Sequence, residues 1–168
     1  MSIRDITIII TSFRSNESIQ KCLNSISIDC KIINIENSSN QNHKKEIEKN
    51  FKNVECILAG KNLGYGKANN LALKKVQTKF ALILNPDTEL FPNTLNSLLA
   101  IANEKEDFAI IGPSIIEEKN KQALSIEKTN ELEAISVKEV KGYAMFLNLS
   151  KFKDIGYFDE NIFFFLEE

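Results

Sequence analysis

The apolar positions of this chain fall into short runs separated by polar stretches with helical spacing. Residues 6–11 form a β-branched run, and residues 31–35, 54–58, 80–84 and 108–111 repeat the theme. Short apolar runs bounded by turn residues are the pattern of strands buried on both faces. Between them, Ile19, Leu23 and Ile26 recur at helical spacing behind Asn16, which fits an N-cap. Residues 42–51 are charged, with Ile47 and Phe51 four apart, and read as a surface helix. Residues 64–76 carry Leu71, Leu73 and Val76 and predict a third helix. Pro92 suits the first turn of a fourth, with Leu95, Leu98, Leu99 and Ala102 on one face. Repeated strand–helix units up to residue 115 predict an α/β fold, a mainly parallel central sheet with helices on both faces. After Gly112-Pro113 the pattern changes: residues 117–133 are polar, a hairpin or surface excursion. Residues 137–149 return to strand-like alternation around Gly142. No linker rich in Gly, Ser or Pro and no internal repeat divides residues 1–168, so a single domain is expected.

Composition narrows the function. With 21 basic and 23 acidic side chains the net charge is −2, which argues against a binder of nucleic-acid phosphates. No apolar run approaches the roughly 20 residues of a membrane-spanning helix. The early Arg4 is followed by no small-residue cleavage site, so no secretory leader is expected. Cys22, Cys30 and Cys56 have no metal-ligand spacing and read as buried free thiols of a cytoplasmic protein. The single histidine, His43, lies in a polar stretch and reads as a surface residue, which leaves little material for a Cys-His nucleophile or a histidine zinc site.

Ligands of open parallel sheets bind beyond the carboxyl ends of the strands. The polar residues there are Thr11-Ser12, Glu36-Asn37-Ser38, Gly60 to Gly66 and Asn85-Pro86-Asp87, from four different strands. Asp87 follows the most apolar strand, where a carboxylate can hold Mg²⁺ or Mn²⁺ together with substrate phosphates. Asn-Pro-Asp is equally good turn chemistry. The loop from Asn62 through Gly64 to Asn70 runs into a helix whose free N–H groups can meet an anion, or its glycines serve only to permit positive φ. It lacks the third glycine of a dinucleotide fingerprint. Glu36 can accept hydrogen bonds from a nucleoside, or is an exposed carboxylate. Asp159, Glu160, Glu167 and Glu168 form a late acidic cluster among aromatic residues: a general base with a raised pKa, or a solvated acidic end.

Taken together, these segments resemble the family 2 glycosyltransferases of the glycosyltransferase-A fold, over nearly the whole chain. The resemblance rests on Ile6 to Phe13, Cys22-Leu23-Asn24-Ser25, Ile35-Glu36-Asn37-Ser38-Ser39 and Asn62-Leu63-Gly64 with Asn70. It continues through Leu84-Asn85-Pro86-Asp87-Thr88, Gly142-Tyr143-Ala144-Met145 and Gly156 to Glu160, ending at Glu167-Glu168. Asn85-Pro86-Asp87 is similar to the metal motif of the rhamnosyltransferase-like branch. The resemblance implies an inverting hexosyltransferase of polysaccharide biosynthesis that uses Mg²⁺ or Mn²⁺. Its donor is a nucleotide sugar of the dTDP-rhamnose or UDP-sugar class, and its acceptor a glycan or a lipid-linked glycan. Thr11, Ser12, Glu36, Asn62, Gly64, Asn70 and Asn85 would bind the donor, Asp87 the metal, and Glu168 with Glu167 would supply the base. Residues 1–115 would form the nucleotide-sugar-binding part and residues 116–168 the start of the acceptor part. The apolar residues Phe163 to Leu166 are expected to be covered by following helices, so the chain is expected to break off at its own base. A full-length protein of this kind works in the cytoplasm and is compatible with attachment to the inner face of the membrane.

Five residues depart from the family pattern: Arg14 for Asn, Glu36 for Asp, Asn69 for Arg, Asn85 for a carboxylate and Glu168 for Asp. Two other functions compete. A non-catalytic nucleotide-sugar-binding module would bind donor without transfer. A sugar nucleotidyltransferase would want a basic, Gly-rich loop after the first strand, whereas residues 11–16 hold one Arg and no Gly.

Overall fold

A computed structural model describes residues 1–113 and 134–163. Six strands form one sheet: β1 (Ile6–Ser12), β2 (Lys31–Glu36), β3 (Val54–Leu58), β4 (Phe80–Leu84), β5 (Ile110–Ile111) and β6 (Ala144–Asn148). Their order across the sheet is β3-β2-β1-β4-β6-β5. The first four are parallel, and β6 runs antiparallel to both β4 and β5. Four helices connect them: α1 (Ser18–Asn24), α2 (Gln41–Asn50), α3 (Tyr65–Leu73) and α4 (Thr94–Glu104).

Alternation along the strands divides the core in two. Ile6, Ile8 and Ile10 of β1, with Phe80, Leu82 and Leu84 of β4, pack with residues of α1, α2 and α4. Ile9, Ile33, Ile35, Ala81 and Ile83 face the other way, onto Ala68, Ala72 and Leu73 of α3. Both faces of the central strands are covered, which is why their sequences are apolar throughout. The mainly parallel α/β architecture expected from the sequence is borne out.

Several boundaries and one burial differ from expectation. The fifth strand is Ile110–Ile111, not 108–111, because Phe108 turns its ring into the core and stacks at 5.8 Å on Phe146. Of residues 137–149, only Ala144–Asn148 are strand, since residues 134–139 are exposed and lack an apolar face to pair. α1 begins at Ser18 rather than behind Asn16, with Ser15 O accepting from Ile19 N at 3.1 Å. The third helix ends at Leu73; beyond it the chain tightens into turns, with Lys75 N donating to Ala72 O at 2.8 Å. His43 is not a surface residue. It is 4% exposed in the first turn of α2, and neither ring nitrogen has a partner. All three cysteines are buried free thiols, as expected. The excursion expected at residues 117–133 lies outside the described residues. Among the described residues no helix is long and apolar enough to cross a membrane.

Candidate functional site

The strand register determines which chain ends meet. Ser12 lies opposite Glu36, Glu36 opposite Leu58, and Ile10 opposite Leu84. The loops after β1, β2, β3 and β4 therefore share the carboxyl edge of the sheet. Thr11, Ser12, Glu36, Asn62, Gly64, Asn85 and Asp87 all sit on these strand ends and loops.

Unusual backbone is concentrated along the same edge. Arg14 after β1 and Ser39 after β2 have φ of 52° and 59°, and Gly60 and Gly64 after β3 have 80° and 78°. Non-glycine residues rarely hold such angles without surrounding support, and functional edges are where they cluster. The Arg14 guanidinium lies over the Phe13 ring, 5.2 Å from its centroid.

The side chains form a dense local network. Thr11 is half-buried, and its hydroxyl donates to Asn69 Oδ1 at 3.0 Å. Asn69 is wholly buried, and its Nδ2 has no partner. The buried Ser12 hydroxyl donates to Ile35 O at 3.4 Å. Glu36, 1% exposed, turns its carboxylate onto its own loop, accepting from Ser38 N at 3.3 Å, Ser38 Oγ at 2.5 Å, and Asn40 N. Asn37 ties two edge loops together. Its Oδ1 accepts from Leu63 N at 2.8 Å, and its Nδ2 donates to Asn62 Oδ1 at 3.0 Å and Gly64 O at 3.3 Å. Sequence reasoning did not single out Asn37; the signal was an amide placed directly after a strand end, where side-chain-to-backbone bonding shapes loops.

Asn85 opens a turn, its carbonyl accepting from Thr88 N at 3.1 Å while its own N–H donates to Tyr143 O at 2.9 Å. Asn-Pro-Asp thus acts as turn chemistry, and the turn leaves Asp87 exposed at the sheet edge. The Cys22 thiol points at Asn85 O from 3.7 Å. Burial, with the negative charges of Asp87 and Glu89 nearby, pushes this thiol up to about 12, so it is no nucleophile at neutral pH. Among the described residues no three His, Cys, Asp or Glu side chains form a metal cluster. Asp87 offers one hard oxygen donor group, which suits a cation that takes its remaining ligands from a bound phosphate and water.

Asn70 departs from the edge. Its Nδ2 donates to Phe158 O at 2.9 Å and Glu160 Oε1 at 3.1 Å, and its Oδ1 accepts from Phe158 N at 3.1 Å. The bond from Asn70 to Glu160, then the Lys74 ammonium at 3.1 Å, holds the Glu160 carboxyl below its ordinary range. Tyr65 donates to Gly142 O at 2.5 Å and meets Phe158 edge to face at 5.7 Å. Glu167 and Glu168 lie outside the described residues.

Known proteins agree with this picture. The family described as "Glycosyl transferase family 2" matches residues 7–164. The low-salt glycan biosynthesis hexosyltransferase Agl10 of Haloferax volcanii is 26% identical over 187 aligned positions, covering 98% of this chain and 59% of that protein. The teichoic acid poly(glycerol phosphate) polymerase of Staphylococcus epidermidis is 32% identical over 93 positions, covering 51% of this chain and 13% of that protein. Among solved structures, S. aureus TarS 1-349 in complex with UDP-GlcNAc superimposes with a TM-score of 0.64 at 20% identity, over 92% of this chain and 48% of that one. The mannosyltransferase PcManGT of Pyrobaculum calidifontis, in complex with GDP-Man and Mn²⁺, gives 0.70 at 12% identity, over 94% of this chain and 48% of that one. At those identities the structural likeness speaks for the fold. The chain spans little more than half the length of Agl10 and about half the length of these two solved chains.

Proposed function

The chain belongs to glycosyl transferase family 2, and from that premise we propose that it takes part in transfer of a hexose from a nucleoside-diphosphate sugar to a hydroxyl of a glycan or lipid-linked acceptor. What carries the reading is the convergence of four loops at one sheet edge, bearing Thr11 and Ser12, Glu36, Asn62 and Gly64, and Asn85 and Asp87. The donor class is a dTDP- or UDP-sugar; UDP-GlcNAc and GDP-Man, bound by TarS and PcManGT, extend the test to a purine nucleotide.

In this reading Thr11 and Ser12 meet the nucleoside. Glu36 shapes the 38–40 loop beside it and reaches the base by a movement of that loop. The loop from Asn62 to Gly64 follows the diphosphate into α3, whose N-terminal end favours a negative charge. Asp87 would hold Mg²⁺ or Mn²⁺, and the cation would supply charge neutralisation for a diphosphate leaving group. Glu168, with Glu167 beside it in sequence, takes the proton from the acceptor hydroxyl. The acceptor oxygen bonds to the anomeric carbon as the bond to the diphosphate breaks, with inversion and no enzyme nucleophile. The setting is the cytoplasm, with peripheral attachment to the membrane.

Calorimetric titration of UDP, dTDP and GDP with and without Mn²⁺ tests the reading. One of them is expected to bind in a metal-dependent way. Asp87→Ala is expected to weaken that binding by about 10- to 100-fold, the loss of a charged ligand group of roughly 1.5–3 kcal/mol. Absence of binding by all three, with metal present, overturns it.

A further inference from the structure

Asn70 sits in the loop-and-helix motif that begins at Asn62, yet its amide is fully engaged away from the donor edge. An asparagine amide offers one acceptor and one two-proton donor. Here the acceptor holds Phe158 N, and the donor holds Phe158 O and Glu160 Oε1. The residue is 4% exposed, and its amide is spent on this segment. This double bond to one residue's N–H and C=O copies the pairing of a β-strand and fixes the backbone at Phe158 in both position and orientation.

The same segment is held at three more points. Phe158 packs its ring edge to face against Tyr65, and Glu160 pairs with Lys74 at 3.1 Å. At Gly64 an added Cβ would collide with the carbonyl of Phe163. Residues 156–163 therefore ride on α3 and on the loop that opens it, and in sequence they lead straight into Glu167-Glu168.

We propose that Asn70 is a positioning residue: it fixes residues 156–163 on the donor helix and so sets where the acidic pair that follows stands relative to the donor. This rests on the glycosyltransferase reading, and it reassigns Asn70 from donor contact to alignment of the base-bearing segment. A misplaced catalytic group costs turnover and not ground-state donor binding, since a shift on the order of 1 Å can cost about 100-fold in rate.

Asn70→Ala tests it by three readouts on the intact protein. These are amide hydrogen exchange across residues 156–163, calorimetric Kd for UDP-GlcNAc and GDP-mannose with Mn²⁺, and the pH profile of nucleoside-diphosphate release. Exchange in the segment should rise by about 10- to 100-fold as its anchoring bonds are lost. Donor Kd should stay within about twofold while the release rate falls at least about tenfold, with a shifted acid limb. Glu160→Gln alone, which keeps an acceptor for Asn70, should stay near wild-type values in all three readouts at neutral pH. If Asn70→Ala does not fold, Asn70→Asp carries the test, keeping the acceptor for Phe158 N and losing both donated bonds. Loss of donor affinity in proportion to rate overturns the proposal, as does unchanged exchange. A wild-type protein that binds none of UDP, dTDP and GDP with Mn²⁺ present defeats the proposed donor reading, and the exchange arm still decides whether Asn70 fixes the segment.

Discussion

Gly60 and Gly64 share almost the same φ, 80° and 78°, but stand in different surroundings. An added Cβ at Gly60 meets nothing within 4 Å, whereas at Gly64 it meets the Phe163 carbonyl. Gly64 also has ψ of 179°, a combination essentially reserved for glycine. Alanine at Gly60 is expected to cost about 1–2 kcal/mol, the left-handed penalty alone. Alanine at Gly64 should cost about 2–4 kcal/mol, because Phe163 must also move. Urea unfolding of the two variants measures both, and equal costs would show that Phe163 does not press on Gly64 in solution. At this scale much was not legible in the sequence. That Gly64 needs positive φ follows from a loop entering a helix, but its contact with a residue a hundred positions away does not. Glu36 and His43 make the same point. A charged residue at a strand end and a histidine in a polar stretch read as exposed, yet they are 1% and 4% exposed, because the 38–40 loop closes on the Glu36 carboxylate and His43 shares the buried face of α2 with Ile47. Side-chain direction in an irregular loop leaves no periodic trace.

The elements themselves were far more legible, and for a physical reason. β1, β2 and β4 are covered on both faces, so each is written mostly as an apolar run, the edge strand β3 keeps Glu55 exposed between apolar residues, and the parallel order follows from the helices between them. The edge pair β5 and β6 is antiparallel and short, and there the alternation overran the true strands. The tie between α3 and the 156–163 segment is likewise invisible to periodicity, since it depends on Asn70, Lys74 and Glu160, which are polar. It carries its own pH dependence. Bonds from Asn70 and Lys74 hold the Glu160 carboxyl below its ordinary value. A carboxylate whose folded value is depressed adds stability above the unfolded value, about 4.3, and that contribution is lost as pH falls through the folded value. Exchange across residues 156–163, corrected for its intrinsic pH dependence, should be flat between about pH 6 and 8 and should rise below about pH 4. Glu160→Gln should remove the acid rise. A rise that persists in that variant would assign the loosening to other carboxylates.

At the scale of the whole molecule, the three thiols provide an internal gauge. Cys22, Cys30 and Cys56 all lie in the core face shared by α1, α2 and α4. Burial is the first cause of the rise in each, to about 12 for Cys22 and about 11 for Cys56. Since the folded values exceed the unfolded ones, this stability is complete below about pH 9 and lost as pH climbs toward those values, where the unfolded chain ionises first. Near pH 8 the folded thiols are both protonated and covered, so a disulfide reagent reaches them only through opening of the sheet. Labelling of Cys22 and Cys56 should then follow the open population. A nucleotide that binds only the closed form lowers that population by a factor of one plus ligand over Kd, about 100-fold at a hundred times Kd. With Mn²⁺ present, the best-binding of UDP, dTDP and GDP should slow labelling by that factor, and Asp87→Ala should abolish the metal-dependent part. Slowing by nucleotide without metal would move the binding energy from Asp87 to the loops after β1 and β2. Labelling that is fast and indifferent to nucleotide would mean that the face holding the thiols opens independently of the donor edge.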